Sequence, residues 1–445
     1  MQKVIVVGGG LAGSEAAWQL LRRGIPVCMY EMRPVTPSPA HTTDMLAEIV
    51  CSNSLGSNAP DSAAGLLKEE LRKCDSLIMK AADACPVPAG KALAVDRDKF
   101  SRMVTETLTD HPLFTLKREE VTSIPEGPAI IASGPLTSPA LAARLQELLG
   151  QEYLYFFDAV APVLELDSVD MTIAYRKDRY AEYEGGDYIN CPMNKEQYTA
   201  FYEALVSAER APLHDFECEP RYFEGCMPVE VIASRGRDTL RFGPLRPVGL
   251  EDPRTGKRAY AVVQLRQDNT EGTLYNIVGF QTNLRWGEQK RVFRMIPGLE
   301  NAEFVRMGVM HRNIYVDAPR SLDGHLRPKG KTDLFLAGQM TGVEGYIEST
   351  SMGLAAAIGM TALLRGQPQP EWPVECAIGA LMNRLRDDTN SKFNPTNANM
   401  GIFPPLPVKI KGRKERAQKI VGIGRNKFDQ FLAARKDLFT LSDLP

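Results

Sequence analysis

The chain is 445 residues long, 44% hydrophobic and 24% charged, with a formal net charge of -2. That is enough chain for two or three domains and a large buried core, and the near-neutral balance excludes a global field drawing the protein to polyanions; a nucleic-acid partner must meet a local basic patch. Eight cysteines without a Cys-x-x-Cys pair argue against a zinc site or a disulfide framework, and for reduced thiols in a cytoplasm.

Val4 to Val7 reads as a strand, and with no charged-then-apolar leader ahead of it the chain is expected not to be secreted. Gly8-Gly9-Gly10-Leu11-Ala12-Gly13 follows, then a helix over Ser14 to Arg22 and a strand over Pro26 to Glu31, which together make a βαβ unit. Apolar spacing predicts one helix over Lys68 to Ala84, another over Arg97 to Thr109, and strands at Leu113 to Lys117 and Ala129 to Ala132. From Leu141 to Met307 the texture turns to mixed α and β, the mark of an inserted domain. Strand, turn and helix return over Leu334 to Leu364, and the weakly polar run Met352 to Leu364 is about two-thirds of a membrane span, so it reads as a packed helix. After Pro368 to Pro373 comes a helical, basic region interrupted by Phe403-Pro404-Pro405-Leu406-Pro407. The division expected is a first dinucleotide-binding part over 1–140, an insert over 141–307, a return over 308–370 and a C-terminal region over 371–445.

Gly8-x-Gly10-x-x-Gly13 directly after a buried strand and before a helix is a dinucleotide fingerprint. Gly8 permits the tight turn, Gly10 lets the backbone approach a pyrophosphate, and Gly13 lets helix and strand pack closely. The whole turn, with Gly9, Leu11 and Ala12, is assigned to the cofactor. Glu31 ends the second strand about 20 residues on, where a carboxylate can hold a ribose hydroxyl pair, and Arg33 is counted with it. This pattern does not separate NAD from FAD. The late return does, because two-domain FAD enzymes use one to bring a further helix N-terminus to the flavin end. Gly338, Gln339, Gly342 and Gly345 are the candidates there, small residues allowing close approach, whereas Gly353 to Ala357 reads as helix packing. The fold class is therefore α/β, a doubly wound Rossmann-like FAD-binding domain carrying an inserted α+β domain.

Cys51 sits in a polar turn, Val50-Cys51-Ser52-Asn53-Ser54-Leu55-Gly56, and Cys226 is pinned between Gly225 and Met227-Pro228. A lone Cys is usually a small buried hydrophobe, but turn amides or a nearby base can raise its thiolate fraction. Together with GGGLAGSEAAWQL, YEMRP, CPVPAGKALAVDR, YLYFFDAVAPV, NCPMNKEQY, FEGCMPVEV, NIVGFQTNLRWGEQK, IPGLENAEF, GVMHRN, LFLAGQMTGVEGYIEST and NANMGIFPPLPVKIK, these segments resemble the folate- and FAD-dependent tRNA (uracil-5-)-methyltransferase family over nearly the whole chain. The segment Ala40-His41-Thr42-Thr43-Asp44 departs from the family pattern, with one His in place of two, which puts the second histidine's part in binding folate or base in doubt.

The resemblance implies transfer of a methylene from 5,10-methylenetetrahydrofolate to C5 of the T-loop uridine at tRNA position 54, with FAD as the source of reducing electrons and NADH or NADPH reducing the flavin. It implies that Cys51 and Cys226 share the roles of nucleophile toward C6 and base toward the C5 proton, with Cys51 preferred as nucleophile. The basic run of Lys409, Lys411, Arg413 and Lys414, followed by Lys419, Arg425 and Lys427, can neutralise phosphates; by composition alone a solvated basic helix is as good a reading. His41, Arg285, Trp286 and His311 are candidates for folate or a flipped base, although Trp286 alone reads as core packing and His311 as a hydrogen-bonded structural residue. No membrane and no obligate protein partner is inferred. The rivals are a wobble-uridine carboxymethylaminomethyl-modifying flavoprotein (MnmG), whose family is longer at its C-terminus, and a generic FAD oxidoreductase.

Overall fold

The computed structural model describes residues 2–150, 153–181, 185–212, 227–389, 393–408 and 410–441. At its centre five parallel strands form one sheet. Val4–Val7 lies between Val27–Glu31 and Ala129–Ile131; Phe114–Arg118 extends the first side and Leu334–Leu336 the second. Ala129–Ile131 and Leu334–Leu336 are buried at every residue, as expected for a parallel sheet covered on both faces. The strand that returns late in the chain thus joins the sheet that the first strand began.

The helix after the glycine turn, Leu11–Leu21, is buried along its whole length. It starts three residues earlier than the periodicity implied, inside the glycine run. Against it packs Tyr346–Leu364, a helix long and apolar enough to cross a membrane but with 89% of that stretch buried inside the protein. A Cβ on Gly353 would lie 2.2 Å from the Ala12 carbonyl oxygen, so the two helices cross in backbone contact. The glycine serves packing.

One predicted helix is two. Ala63–Lys73 ends at Cys74, and Leu77–Ala84 begins after Ser76. Asp75 between them has φ 62°, its carbonyl accepts from the Trp18 indole at 2.8 Å, and the Ser76 hydroxyl donates to Glu15 at 2.7 Å while capping Met79. Leu71, Cys74, Leu77 and Ile78 all face one core. Apolar spacing therefore runs through the break and hides it.

Beyond this core an antiparallel sheet of six strands runs in the order Tyr175–Arg176, Tyr188–Met193, Ala261–Gln267, Leu274–Ile277, Val163–Glu165, Phe304–Arg306. Its own core includes the rings of Phe201, Phe280 and Phe293. The strands Leu154–Ala159 and Met310–Tyr315 pair as an antiparallel ribbon on the way in and out. Helix Pro139–Leu149, where the change of texture begins in sequence, buries Leu141 and Leu145 in the first core; the second core begins at Leu164. An amphipathic helix does not record which core its apolar face meets. Near the C-terminus, Arg413–Ala434 docks against Ala63–Lys73, with Phe428 and Phe431 packed on Trp372.

Candidate active site

The glycine turn is built by exclusion. A Cβ on Gly8, whose φ is 101°, would come within 2.5 Å of the Ala132 carbonyl oxygen, and one on Gly13 within 1.9 Å of the Gly8 carbonyl oxygen. Gly10 differs: a Cβ there would meet nothing within 4 Å, because that side faces a cavity lined by Gly8, Gly10, Leu11 and Ala12. Gly10 is also the N-cap of the first helix and offers it no side-chain acceptor. The first amides of the helix therefore open onto the cavity with the positive end of its dipole, the arrangement an anion requires.

At one end of the cavity stands Glu31. One oxygen accepts the Gly9 amide at 2.8 Å, and the other accepts the Arg33 amide and guanidinium at 3.0 and 2.9 Å. Burial pushes this carboxyl up, but the Arg33 contacts and the Gly9 amide outweigh it and hold Glu31 below the usual carboxylate range. Arg33 itself is 4% exposed. It bridges Glu31 and Glu48, with 2.9 Å to each, and donates to the carbonyls of Thr43 and Met45. All three of its guanidinium nitrogens donate within the protein, so Arg33 shapes the part of the cavity where Glu31 stands. His41 lines the same end, its Nδ1 2.5 Å from the Ser38 hydroxyl.

The late turn also lines the cavity, through Gly338, Gln339, Tyr346 and Ser349. A Cβ on Gly338 (φ 81°) would reach 2.8 Å from that of Ala12, so this turn rests on the start of the first helix. Gly342 and Gly345 do something else. The space beside Gly342 is filled by the Phe393 ring, 2.3 Å from its notional Cβ, and that beside Gly345 by the Glu348 carboxylate at 2.1 Å. The protein's own side chains take the space a Cβ would need there, and neither glycine is among the residues lining the cavity. Thr396 and Ala398 bond the same turn through Glu344, Gly342 and Glu348. The cavity brings together a carboxylate, open helix amides and small and polar residues of the late turn, a set that fits a dinucleotide.

Cys51 lies beyond Val50, which lines the cavity. Its amide donates to the Tyr346 hydroxyl at 2.8 Å, and its thiol points to the Ala159 carbonyl at 3.5 Å. Arg97 donates to the carbonyls of Ile49 and Cys51, both at 2.7 Å, and pairs with Asp268 at 2.9 Å. Asn53, fully buried, uses all four of its hydrogen-bonding positions: it donates to Val95 and Gln267 carbonyls and accepts from Arg266 and Asn276. Cys51 therefore sits in a polar seam where the two cores meet. The sequence reading missed Tyr346, Arg97, Asp268 and Arg306, which belong to this seam. Nothing local marks them, apart from Tyr346 at the start of the returning helix.

The remaining candidates scatter. Trp286 is 63% exposed, so the core reading is corrected: it opens a short surface helix whose other face is buried. Arg285 beside it pairs with Glu209 at 3.1 Å. Lys411, Arg413 and Lys414 are exposed at the start of the C-terminal helix, with no ion pair among the described residues. Arg425 and Lys427 further along are answered by Glu69 at 2.6 Å and Glu375 at 3.7 Å, which removes them from any free basic stripe. Cys226 and Lys409 lie outside the described residues, as does the side chain of His311, whose backbone is in the strand Met310–Tyr315.

The family model described as Glucose inhibited division protein A matches residues 3–368. A Listeria innocua protein named methylenetetrahydrofolate--tRNA-(uracil-5-)-methyltransferase TrmFO is 57% identical over 419 residues, 94% of this chain and 96% of its own. A Moorella thermoacetica protein of that name is 59% identical over 415 residues, 93% and 94% of the two chains. The structure of Aquifex aeolicus GidA superposes with a TM-score of 0.69 at 17% identity, over 99% of this chain and 74% of its own, and so shows the same fold. With 57% identity spanning nearly all of both chains, this chain belongs to the methylenetetrahydrofolate--tRNA-(uracil-5-)-methyltransferase TrmFO family, within the wider group that the GidA model describes.

Proposed function

We propose that the protein methylates C5 of the T-loop uridine of tRNA in the cytoplasm, taking the methylene from 5,10-methylenetetrahydrofolate and the electrons from FAD reduced by NADH or NADPH. The observation that carries the reading is Tyr346, which lines the glycine-turn cavity and also holds the amide of Cys51. A thiol beside the flavin end of a dinucleotide cavity is what this reaction needs. The names of the full-length relatives agree with it.

When bound, reduced FAD supplies the electrons that turn the transferred methylene into a methyl group. The amides of Leu11 and Ala12 would hold its pyrophosphate and Glu31 a ribose hydroxyl pair, with Gln339 and Ser349 lining the same cavity. C5 of uracil is a poor nucleophile until the Cys51 thiolate adds at C6; Cys226 takes the C5 proton afterwards, and the S–C6 bond breaks. Lys411, Arg413 and Lys414, with Lys409, neutralise tRNA phosphates, and His41, Arg285, Trp286 and His311 serve the folate or the extruded base. The test is mass mapping of unmodified tRNA incubated with and without methylenetetrahydrofolate, using the parent protein, Cys51→Ala and Cys226→Ala. The expected result is folate-dependent methylation at the T-loop, lost in both variants, with the 5-fluorouridine adduct lost in Cys51→Ala. A wobble-uridine mass change, or methylation that survives in both variants, overturns the reading.

A further inference from the structure

The seam beside Cys51 holds three guanidinium groups that differ in one respect. Arg97 spends its donors on two carbonyls and both oxygens of Asp268. Arg266 spends its own on Asn53, Ser52 and Asn276. Arg306 makes no hydrogen bond or ion pair among the described residues, and its Nη2 is buried without a partner. It ends the edge strand Phe304–Arg306 next to an irregularity in the pairing with Val163–Leu164. Its electrostatic neighbours are Arg97, which repels it, Asp268, which attracts it, and Tyr346 and Cys51, which attract it only when ionised. Burial lowers its pKa, but a guanidinium starts so high that it stays charged.

A buried charged donor left unpaired is costly, and natural proteins retain one where a bound water, ion or ligand completes it or where it has a catalytic role. Asp268 does not complete it: its oxygens accept from Arg97 and Asn276, and no contact from Arg306 reaches them. The seam is therefore short of one oxygen atom, preferably a negatively charged one, within electrostatic reach of a thiol.

We propose that Arg306 is a catalytic residue that binds the C4 oxygen of the target uracil and stabilises the negative charge it acquires when a thiolate adds to C6. In that step the S–C6 bond forms, the C5–C6 π pair moves to C4–C5, and the C4 carbonyl π pair moves onto O4. Arg306 Nη2 donates to O4 throughout, no electrons leave the system, and the charge returns through C5 when the methylene is accepted. The donor is already withdrawn from solvent before the charge develops, a condition under which such a group accelerates addition. The assignment rests on the methylation reading above.

The experiment compares the full-length FAD-loaded parent with Arg306→Gln and Arg306→Lys. It measures the rate of covalent adduct formation with 5-fluorouridine tRNA, bleaching of the flavin by NADPH, the dissociation constant for unmodified tRNA, and thermal stability. Arg306→Gln should slow adduct formation about 100-fold with flavin bleaching and tRNA affinity unchanged, and Arg306→Lys should recover part of the rate. An adduct rate in Arg306→Gln close to that of the parent overturns the proposal. So does loss of flavin or of stability in both variants, which would assign the guanidinium to holding the seam together. A parent protein that forms neither adduct nor methylated tRNA instead refutes the methylation reading, which is a distinct outcome.

Discussion

Two helix starts in this protein face the same physical problem and answer it in opposite ways. At Leu11 the first amides open onto a cavity, and Gly10 supplies no cap. At Ala377 the first amides, those of Ala377 and Ile378, are met by the two oxygens of Glu70 at 2.7 and 2.9 Å, with Glu70 1% exposed. Unsatisfied helix amides attract an anion in either case. Where the chain supplies the carboxyl itself the end is structural; where it withholds one, the end is available to a ligand's phosphate.

The largest effect expected from this comparison is at the closed start. Burial pushes Glu70 up to about 8 despite its two amide bonds. The unfolded chain releases that proton near the ordinary glutamate value of about 4.3. Between these values the folded state binds more protons, so the stability this group contributes is present below about pH 4.3 and is lost as pH rises toward about 8. Glu70→Gln cannot ionise. Urea unfolding at several pH values should show the variant gaining on the parent by several kcal/mol between pH 5 and 8; a constant difference would mean that the amides outweigh burial and the carboxylate is charged throughout. Next in size is Gly13→Ala. Its Cβ would sit 1.9 Å from a backbone oxygen that cannot rotate away, and denaturant unfolding should register a loss of about 3 kcal/mol or more, along with the bound flavin.

These sites were not equally legible in sequence. The open start is written in six contiguous residues, Gly8 to Gly13, after a strand short enough to recognise, so its position and geometry could be read directly. The seam around Cys51 draws on residues 51–53, 97, 266–268, 276, 306 and 346, which come together only through the antiparallel register of Ala261–Gln267 with Leu274–Ile277 and the docking of one core on the other. Gly342 and Gly345 show a different limit. A glycine in a turn records that space is needed but not what fills it, and here Phe393 and Glu348 do. Asp75 hid inside a helical pattern because both helices it separates face the same core. Asn53→Ala tests the seam as a unit: it strands two donors and two carbonyls at once, and thermal or urea unfolding should show a cost of about 2 kcal/mol.

The smallest effect is the most discriminating, because it separates a glycine kept for the protein from one kept for a ligand. Gly10 has φ -75° and ψ -170°, an extended conformation open to any residue, and a Cβ there touches no protein atom within 4 Å. Nothing in the apoprotein requires glycine at this position, so Gly10→Ala should leave the urea midpoint of the flavin-free protein unchanged. The methyl group would instead stand where a pyrophosphate must approach the helix amides. Flavin affinity should therefore fall about tenfold, or about 1.4 kcal/mol, measured by the release of flavin fluorescence on dilution. If flavin affinity holds while stability falls, the cavity beside Gly10 serves the fold, and the open helix start loses its claim to the phosphate.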